Sequence, residues 1–312
     1  MAVENPATAT REVLDASTWR LRRAAHEARV DRWVQPHLER RRQRVAHPVE
    51  DFLFTYYSQR PAGLRRWHPG FGVVLEDAEE YAGLKGYAVS TLRWAQDTAS
   101  STTDGSTTDM TVSREYVASQ ERLLRGLHNL LTATASRPAQ LGCFGMHEWA
   151  MVYKLDPTDV RHSSWPLRLG AEGTDQVVEQ HRIACSHFDA FRFFTDEARP
   201  RNTLSPGRDD RAEFEQPGCL HAGMDLYKHA FRLSPMVPSE LVADCFELAH
   251  DIRVLDMRAS PYDLSALGYA PVAVETAEGK QEYVAAQRRF AERGAPLRAR
   301  LVAEVERLLA AL

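Results

Sequence analysis

Gly218-Cys-Leu-His-Ala-Gly-Met-Asp-Leu-Tyr-Lys-His-Ala-Phe-Arg-Leu233 and Pro238-Ser-Glu-Leu-Val-Ala-Asp-Cys-Phe-Glu-Leu-Ala-His-Asp-Ile-Arg-Val-Leu-Asp-Met257 decide the fold class. Both stretches read as helices, kept apart by Ser234-Pro235 and Pro238, where the chain cannot continue a helix without a break. Working outward, Ser260-Pro261-Tyr262 ends the second helix. Beyond it a strand is expected over Val272–Thr276, then two surface helices, Lys280–Arg293 and Pro296–Ala311. Upstream, His147–Lys154 and Phe188–Thr195 read as short helices, Val177–Ser186 as a strand or helix, and Arg199–Asp210 as a loop. Leu123, Leu124, Leu127, Leu130 and Leu131 give Ser113–Ala135 the spacing of an amphipathic helix. Phe71–Glu76 and Gly86–Ser90 are short strand candidates, and Thr18 to about Val45 is a basic helix ended by His47-Pro48.

The expected architecture is therefore mostly α (α+β): one helical globular domain over 18–312 with a small accessory β-sheet. Residues 1–17 read as disordered or extended, and the Ser/Thr-rich stretch at about 98–111 as a flexible insertion. No repeat of fixed period is present.

Composition bounds the function. The chain has 312 residues, 44% hydrophobic and 26% charged, as ordinary globular proteins do. No apolar run approaches the roughly 20 residues that span a bilayer, and the N-terminus lacks the form of a secretory signal. A cytoplasmic protein without a membrane role or an obligate protein partner is expected. Four cysteines without a Cys-x-x-Cys pair make neither a disulfide scaffold nor a recognisable zinc site. The net charge of −4 excludes a protein coated in basic surface, but not a local basic patch. Only four of the 39 basic residues are lysines. Arginine in such excess fits phosphate and base-edge contacts, and equally a GC-rich genome.

Three segments share a local grammar of cysteine, histidine and carboxylate: Cys143-Phe-Gly-Met-His147-Glu148, Cys185-Ser-His187-Phe-Asp189 and Cys219-Leu-His221-Ala-Gly-Met-Asp225. His147, His187 and His221 with these acids could ligate a metal, yet no pair has dedicated ligand spacing. Each cysteine sits in apolar sequence with no basic neighbour, which reads as an inert thiol. No Gly-rich phosphate loop is present. Arg258 with Asp256 or Asp263 reads as an ion pair or a phosphate clamp. The carboxylates suit chemistry through a positively charged transition state, because an acid among aromatics can stabilise an oxocarbenium-like sugar and orient water. Asp189, framed by Phe188, Phe191 and Arg192, is the first choice for that role, with Glu148 and Asp225 behind it.

The segments GCFGMHEWAMVY (142–153), HFDAFRFFT (187–195), RPRNTLSP (199–206), EQPGCLHAGMDLYKHA (215–230), LVADCFELAHDIRVLDMRASPYDL (241–264) and HPVEDFLFTYYSQRPAGLRRWHPG (47–70) carry a resemblance. They resemble a group of actinobacterial-type proteins named 3-methyladenine DNA glycosylase. The chain also looks similar to phage-defence DNA glycosylases that excise glucosylated hydroxymethylcytosine from viral DNA. It lacks the Gly-rich hairpin and aspartate of helix–hairpin–helix glycosylases, iron–sulfur cysteine spacing and uracil-glycosylase motifs.

The resemblance implies base flipping, hydrolysis of an N-glycosidic bond and an abasic product, without a cofactor or metal, on double-stranded DNA containing a modified base. With Lys154 and Lys228 the only amines near the block, a monofunctional glycosylase is expected rather than one that forms a Schiff base. For the flipped base, the candidates are His147, His187, Phe188, Phe191, Arg192, Asn202, His221 and Tyr227. For DNA phosphates they are Arg41, Arg42, Arg65, Arg66, Arg201, Lys228 and Arg258. Two other readings stay open: a metal-dependent enzyme using the three histidines on a small molecule, and a non-catalytic DNA-binding protein.

Overall fold

Among residues 12–90, 108–156 and 165–312, which the computed structural model describes, twelve α-helices and four short strands are formed. The expected insertion at 98–111 lies outside the described residues up to 107, as does the N-terminus up to residue 11. The protein is mostly α with an accessory sheet, as its sequence predicts.

Helix α1 (Ala16–Gln43) starts where the Asp15 carboxylate accepts a hydrogen bond from the Thr18 amide, and ends at Arg44 in the left-handed conformation. Its buried stripe is Trp19, His26, Val30, Val34 and His37. Short helices α2 (Phe52–Tyr56) and α3 (Pro61–Arg65) follow. Strands β1 (Glu12–Leu14), β2 (Val73–Leu75), β3 (Tyr87–Val89) and β4 (Met110–Val112) form one sheet in the order β1-β2-β4-β3. The β1–β2 pair is parallel, with Leu14 opposite Leu75; the others are antiparallel, with Val74 opposite Thr111 and Ala88 opposite Thr111. Leu14, Trp19, Trp67, Leu75, Tyr81 and Met110 form a separate small core around the sheet.

The expected helix over Ser113–Ala135 is two, α4 (Arg114–Ser119) and α5 (Glu121–Ala135), broken at Gln120. Three short elements follow more tightly than the sequence suggests. Helix α6 (Met146–Ala150) stops four residues before Lys154, α7 (Gly170–Gln180) takes only the first four residues of the expected Val177–Ser186 element and leaves the rest as loop with an isolated bridge at Ile183, and α8 covers only Phe188–Phe191. Helix α9 (Arg211–Phe214) precedes the central pair, α10 (Leu220–Arg232) and α11 (Ser239–Arg258). These two pack closely enough that a Cβ on Gly223 would stand 2.7 Å from Ile252 Cδ1.

The expected strand over Val272–Thr276 is absent. Val272 and Val274 are fully buried in a turn, so their apolar alternation reflects core contact rather than a sheet. The two expected C-terminal helices are one, α12 (Ala277–Ala310), running through Pro296. A proline inside a helix costs a hydrogen bond and a clash worth about 3 kcal/mol. Burial of Tyr283, Leu301, Val305 and Leu308 on either side of it holds the helix together. Among the described residues, no helix is long and apolar enough to cross a membrane.

Candidate active site

The three Cys-His-acid segments converge. Helix α6 supplies His147 and Glu148, the turn into α8 supplies His187 and Asp189, and α10 supplies His221, Asp225 and Lys228 on one face at helical spacing. The His221 ring lies between the others, 4.5 Å from His147 and 5.2 Å from His187 between centroids. Two ionic groups flank it.

The first is sealed. Arg253 on α11 donates through Nη1 to Glu148 Oε1 (2.9 Å) and to Asp256 Oδ2 (2.8 Å), and its guanidinium stacks 3.6 Å from the Phe52 ring centroid. His147 Nε2 stands 3.0 Å from Asp256 Oδ1. Burial pulls the His147 pKa down, but the Asp256 charge outweighs it and holds the ring well above the usual histidine range. Asp256 is correspondingly held below the ordinary carboxylate range, against its own burial. Two carboxylates thus face one guanidinium, and the proton on His147 completes the balance.

The second group reaches solvent. Asp225, fully buried, accepts from Tyr57 Oη (2.8 Å), Arg211 Nη2 (2.7 Å) and Lys228 Nζ (3.1 Å). Arg211 also donates through Nε to Glu215 Oε1 (2.5 Å), and His187 Nε2 lies 3.4 Å from both acids. Lys228 reaches further, to Asp189 Oδ2 at 2.8 Å. Burial raises the Asp189 pKa, but the Lys228 bond outweighs it and the group sits below its ordinary value. Asp189 is thus an ionised carboxylate with one edge open. Between the two groups His221 is neutral: burial, then the His147 and His187 charges, hold it well below the ordinary range.

Asp189 opens into a cleft of about 840 Å³ walled by Tyr56, Tyr57 and Phe231. Five cations line this cleft, Arg60, Arg66, Arg192, Lys228 and Arg232, against the single carboxylate. Arg60, Arg66 and Arg232 have no carboxylate partner among the described residues. Ser58, Gln59 and Arg60 continue the cleft into a groove that carries Arg41.

The other expected site residues are placed as follows. Arg192 is exposed at the cleft, 3.5 Å from Asp189. Phe188 is half-buried, and Phe191 packs edge-on against Phe194. Tyr227 is fully buried between Tyr57, Phe231 and Phe246, away from the opening. Asn202 is buried and bonds both backbone groups of Cys185, bracing that loop. Arg42 pairs with Glu39, Arg65 with Glu27 and Asp31, and Arg201 with Glu179. Arg258 binds the Ala270 carbonyl and Glu282; its expected partner Asp256 belongs to Arg253 and His147, because α11 turns Arg258 outward. Most other arginines of α1 are also engaged, Arg29 with Asp244 and Glu247, Arg40 with Asp51. The solvated, ion-paired helix face is the better account of that basic run.

Tyr56, Tyr57, Arg60, Arg211, Glu215 and Arg253 do not stand out by spacing. The first three lie in the aromatic and arginine-rich stretch from Asp51 to Arg66, which does carry a signal. The others join the site only through the tertiary fold.

Two sets of ligand-type atoms lie within 4.8 Å of one another: His147, Glu148 and Asp256, and His187, Glu215 and Asp225. The three histidines do not form a set together. Each set already holds a guanidinium in hydrogen-bond contact. A divalent ion there would add two buried positive charges to groups whose acids are already balanced, a costly arrangement. Comparison with protein-family models, with curated proteins and with solved structures finds no match to this chain.

Proposed function

We propose that this protein is a monofunctional DNA glycosylase, cytoplasmic, that takes a flipped modified nucleotide into the Asp189 cleft. One observation carries the reading: an ionised carboxylate stands at the edge of an aromatic-walled cleft in which three arginines, Arg60, Arg66 and Arg232, have no carboxylate partner among the described residues. Unpaired guanidinium groups around such a cleft suit the phosphates flanking an extruded nucleotide. The volume suits a base carrying a bulky substituent such as a glucosyl-hydroxymethyl group, since ligand pockets run from about 300 to 1,000 Å³. Tyr56 supplies a stacking face.

In this mechanism the Asp189 carboxylate faces the deoxyribose as the C1′–N bond breaks and charge develops on the sugar. Water directed by the same carboxylate adds to C1′; the base leaves with the bonding pair and is protonated, leaving an abasic site. Lys228 donates from Nζ to both Asp189 and Asp225, which holds the amine away from Schiff-base attack. Borohydride should therefore trap no protein–DNA adduct.

The test is incubation with unmodified, alkylated and glucosyl-hydroxymethylated DNA, with mass spectrometry of released bases. Release from one modified DNA by the wild type and not by Asp189→Asn supports the proposal. Salt-sensitive DNA binding with no abasic sites on any substrate would leave a non-catalytic DNA-binding protein. Stoichiometric zinc or iron in the purified protein, with activity lost to a chelator, would favour the metal-dependent alternative.

A further inference from the structure

A second cavity, about 760 Å³, shares no lining residue with the Asp189 cleft. Arg137, Arg182 and Lys280 line it, and no carboxylate does. Among the described residues, neither Arg182 nor Lys280 has a carboxylate partner. The Lys280 ammonium instead stands 6.0 Å from the centroid of the Phe144 ring, another wall of the cavity. Such a space attracts small anions, because its field is unopposed.

Cys143 opens onto this cavity and is the one half-exposed thiol; Cys185, Cys219 and Cys245 are buried. The next two residues, Phe144 and Gly145, have φ of 50° and 68°. Left-handed backbone is strained for a phenylalanine. The turn brings Cys143 to the entry of α6, where the Met146 amide donates to the Cys143 carbonyl and the second residue of the helix is His147. Behind it Asp256 Oδ1 holds His147 from 3.0 Å. A half-exposed thiol thus stands at the wall of a cationic cavity, with the His147–Asp256 pair in the adjoining helix start, an arrangement that suits nucleophilic chemistry.

We infer that this cavity is a reactive-thiol site, in which Cys143 is the nucleophile toward a small carboxylate-bearing electrophile. The thiol proton passes to solvent as Cys143 reacts. Cys143 Sγ then forms a bond to the electrophilic carbon, and the leaving group departs with its bonding pair. The arginines and Lys280 hold the carboxylate of the incoming molecule. This site requires no DNA and stands whether or not the Asp189 cleft is a glycosylase centre.

Iodoacetate and iodoacetamide, which differ in charge but react at the same kind of carbon, provide the test. Alkylation rates at each cysteine are followed by peptide mass spectrometry in the native protein and in denaturant. In the native protein Cys143 should react first. Its iodoacetate-to-iodoacetamide rate ratio should exceed that of the same cysteine in denaturant by about tenfold, as cationic clefts concentrate anions. The surface variants Lys280→Gln and Arg182→Gln should each lower that ratio several-fold while leaving the iodoacetamide rate nearly unchanged. Equal ratios in the native and unfolded protein, or Cys143 reacting no faster than the three buried thiols, would overturn the inference.

Discussion

The Arg253 group and the Asp189 group are built from the same materials and differ in one respect. Around Arg253 every charge is sealed: Arg253, Asp256 and His147 are at most 2% exposed. Around Lys228 the chain of ion pairs begins equally buried, at Asp225, but ends at Asp189 with a carboxylate edge in a cleft. A buried acid paired with a buried cation and closed off from solvent fixes helices in place. An acid anchored from behind and open in front can meet a substrate. The comparison also orders the three acids by exposure: Glu148 and Asp225 are buried against their cations, and Asp189 alone of the three lines a cleft.

That contrast is open to attack at its strongest point first. Replacing Arg253 with Met leaves Glu148 and Asp256 facing each other without their cation. Loss of about 3–5 kcal/mol is expected, as for other broken buried pairs. Denaturant unfolding measures it, and a cost below about 1 kcal/mol, the level of a surface pair, would show that the group is not an anchor.

Asp189→Asn should do the opposite. Stability should stay within about 1 kcal/mol, the range for partly exposed pairs, since Lys228 keeps Asp225. Base release should fall by roughly 10²–10³, the usual cost of removing one preorganised electrostatic group. An unfolded variant, or one with full activity, would erase the distinction between the two groups.

Smaller effects should follow from the cleft's arginines. Arg60→Ala, Arg66→Ala and Arg232→Ala should each weaken binding to all DNA sequences alike. Each should flatten the plot of log affinity against log salt by about 0.9 for every phosphate that is no longer neutralised. Arg65→Ala, whose side chain is held by Glu27 and Asp31, serves as the control and should leave the slope unchanged.

The smallest expected effect is a pH dependence outside both groups. His250, bonded to Glu50 and near Asp251, is pushed up to about 9 despite its burial. A raised folded pKa means that its contribution is complete below the unfolded value of about 6.5 and fades as pH rises towards 9. Thermal unfolding of the wild type should lose that increment over this window, and Glu50→Gln should reduce the loss.

The helical core is readable because α10 and α11 keep their local signals throughout, from the prolines between them to the spacing of His221, Asp225 and Lys228. The C-terminal end is not, because Pro296 is a local veto that distant packing on α12 overrides. Three-residue strands such as Glu12–Leu14 and Met110–Val112 carry too little alternation to read, and exist through their neighbours. The site shows the same limit. The Cys-His-acid segments, singled out in sequence, do come together in the fold, whereas their cations Arg211 and Arg253 arrive from other helices. The histidine nearest Cys143 in sequence, His147, is legible four residues on, whereas the Asp256 that pairs with it comes from α11.

The neutral His221 ring separates the two ionic groups in the manner of an insulator between conductors. Among the described residues the two groups share no carboxylate and no cation, and meet only across this imidazole.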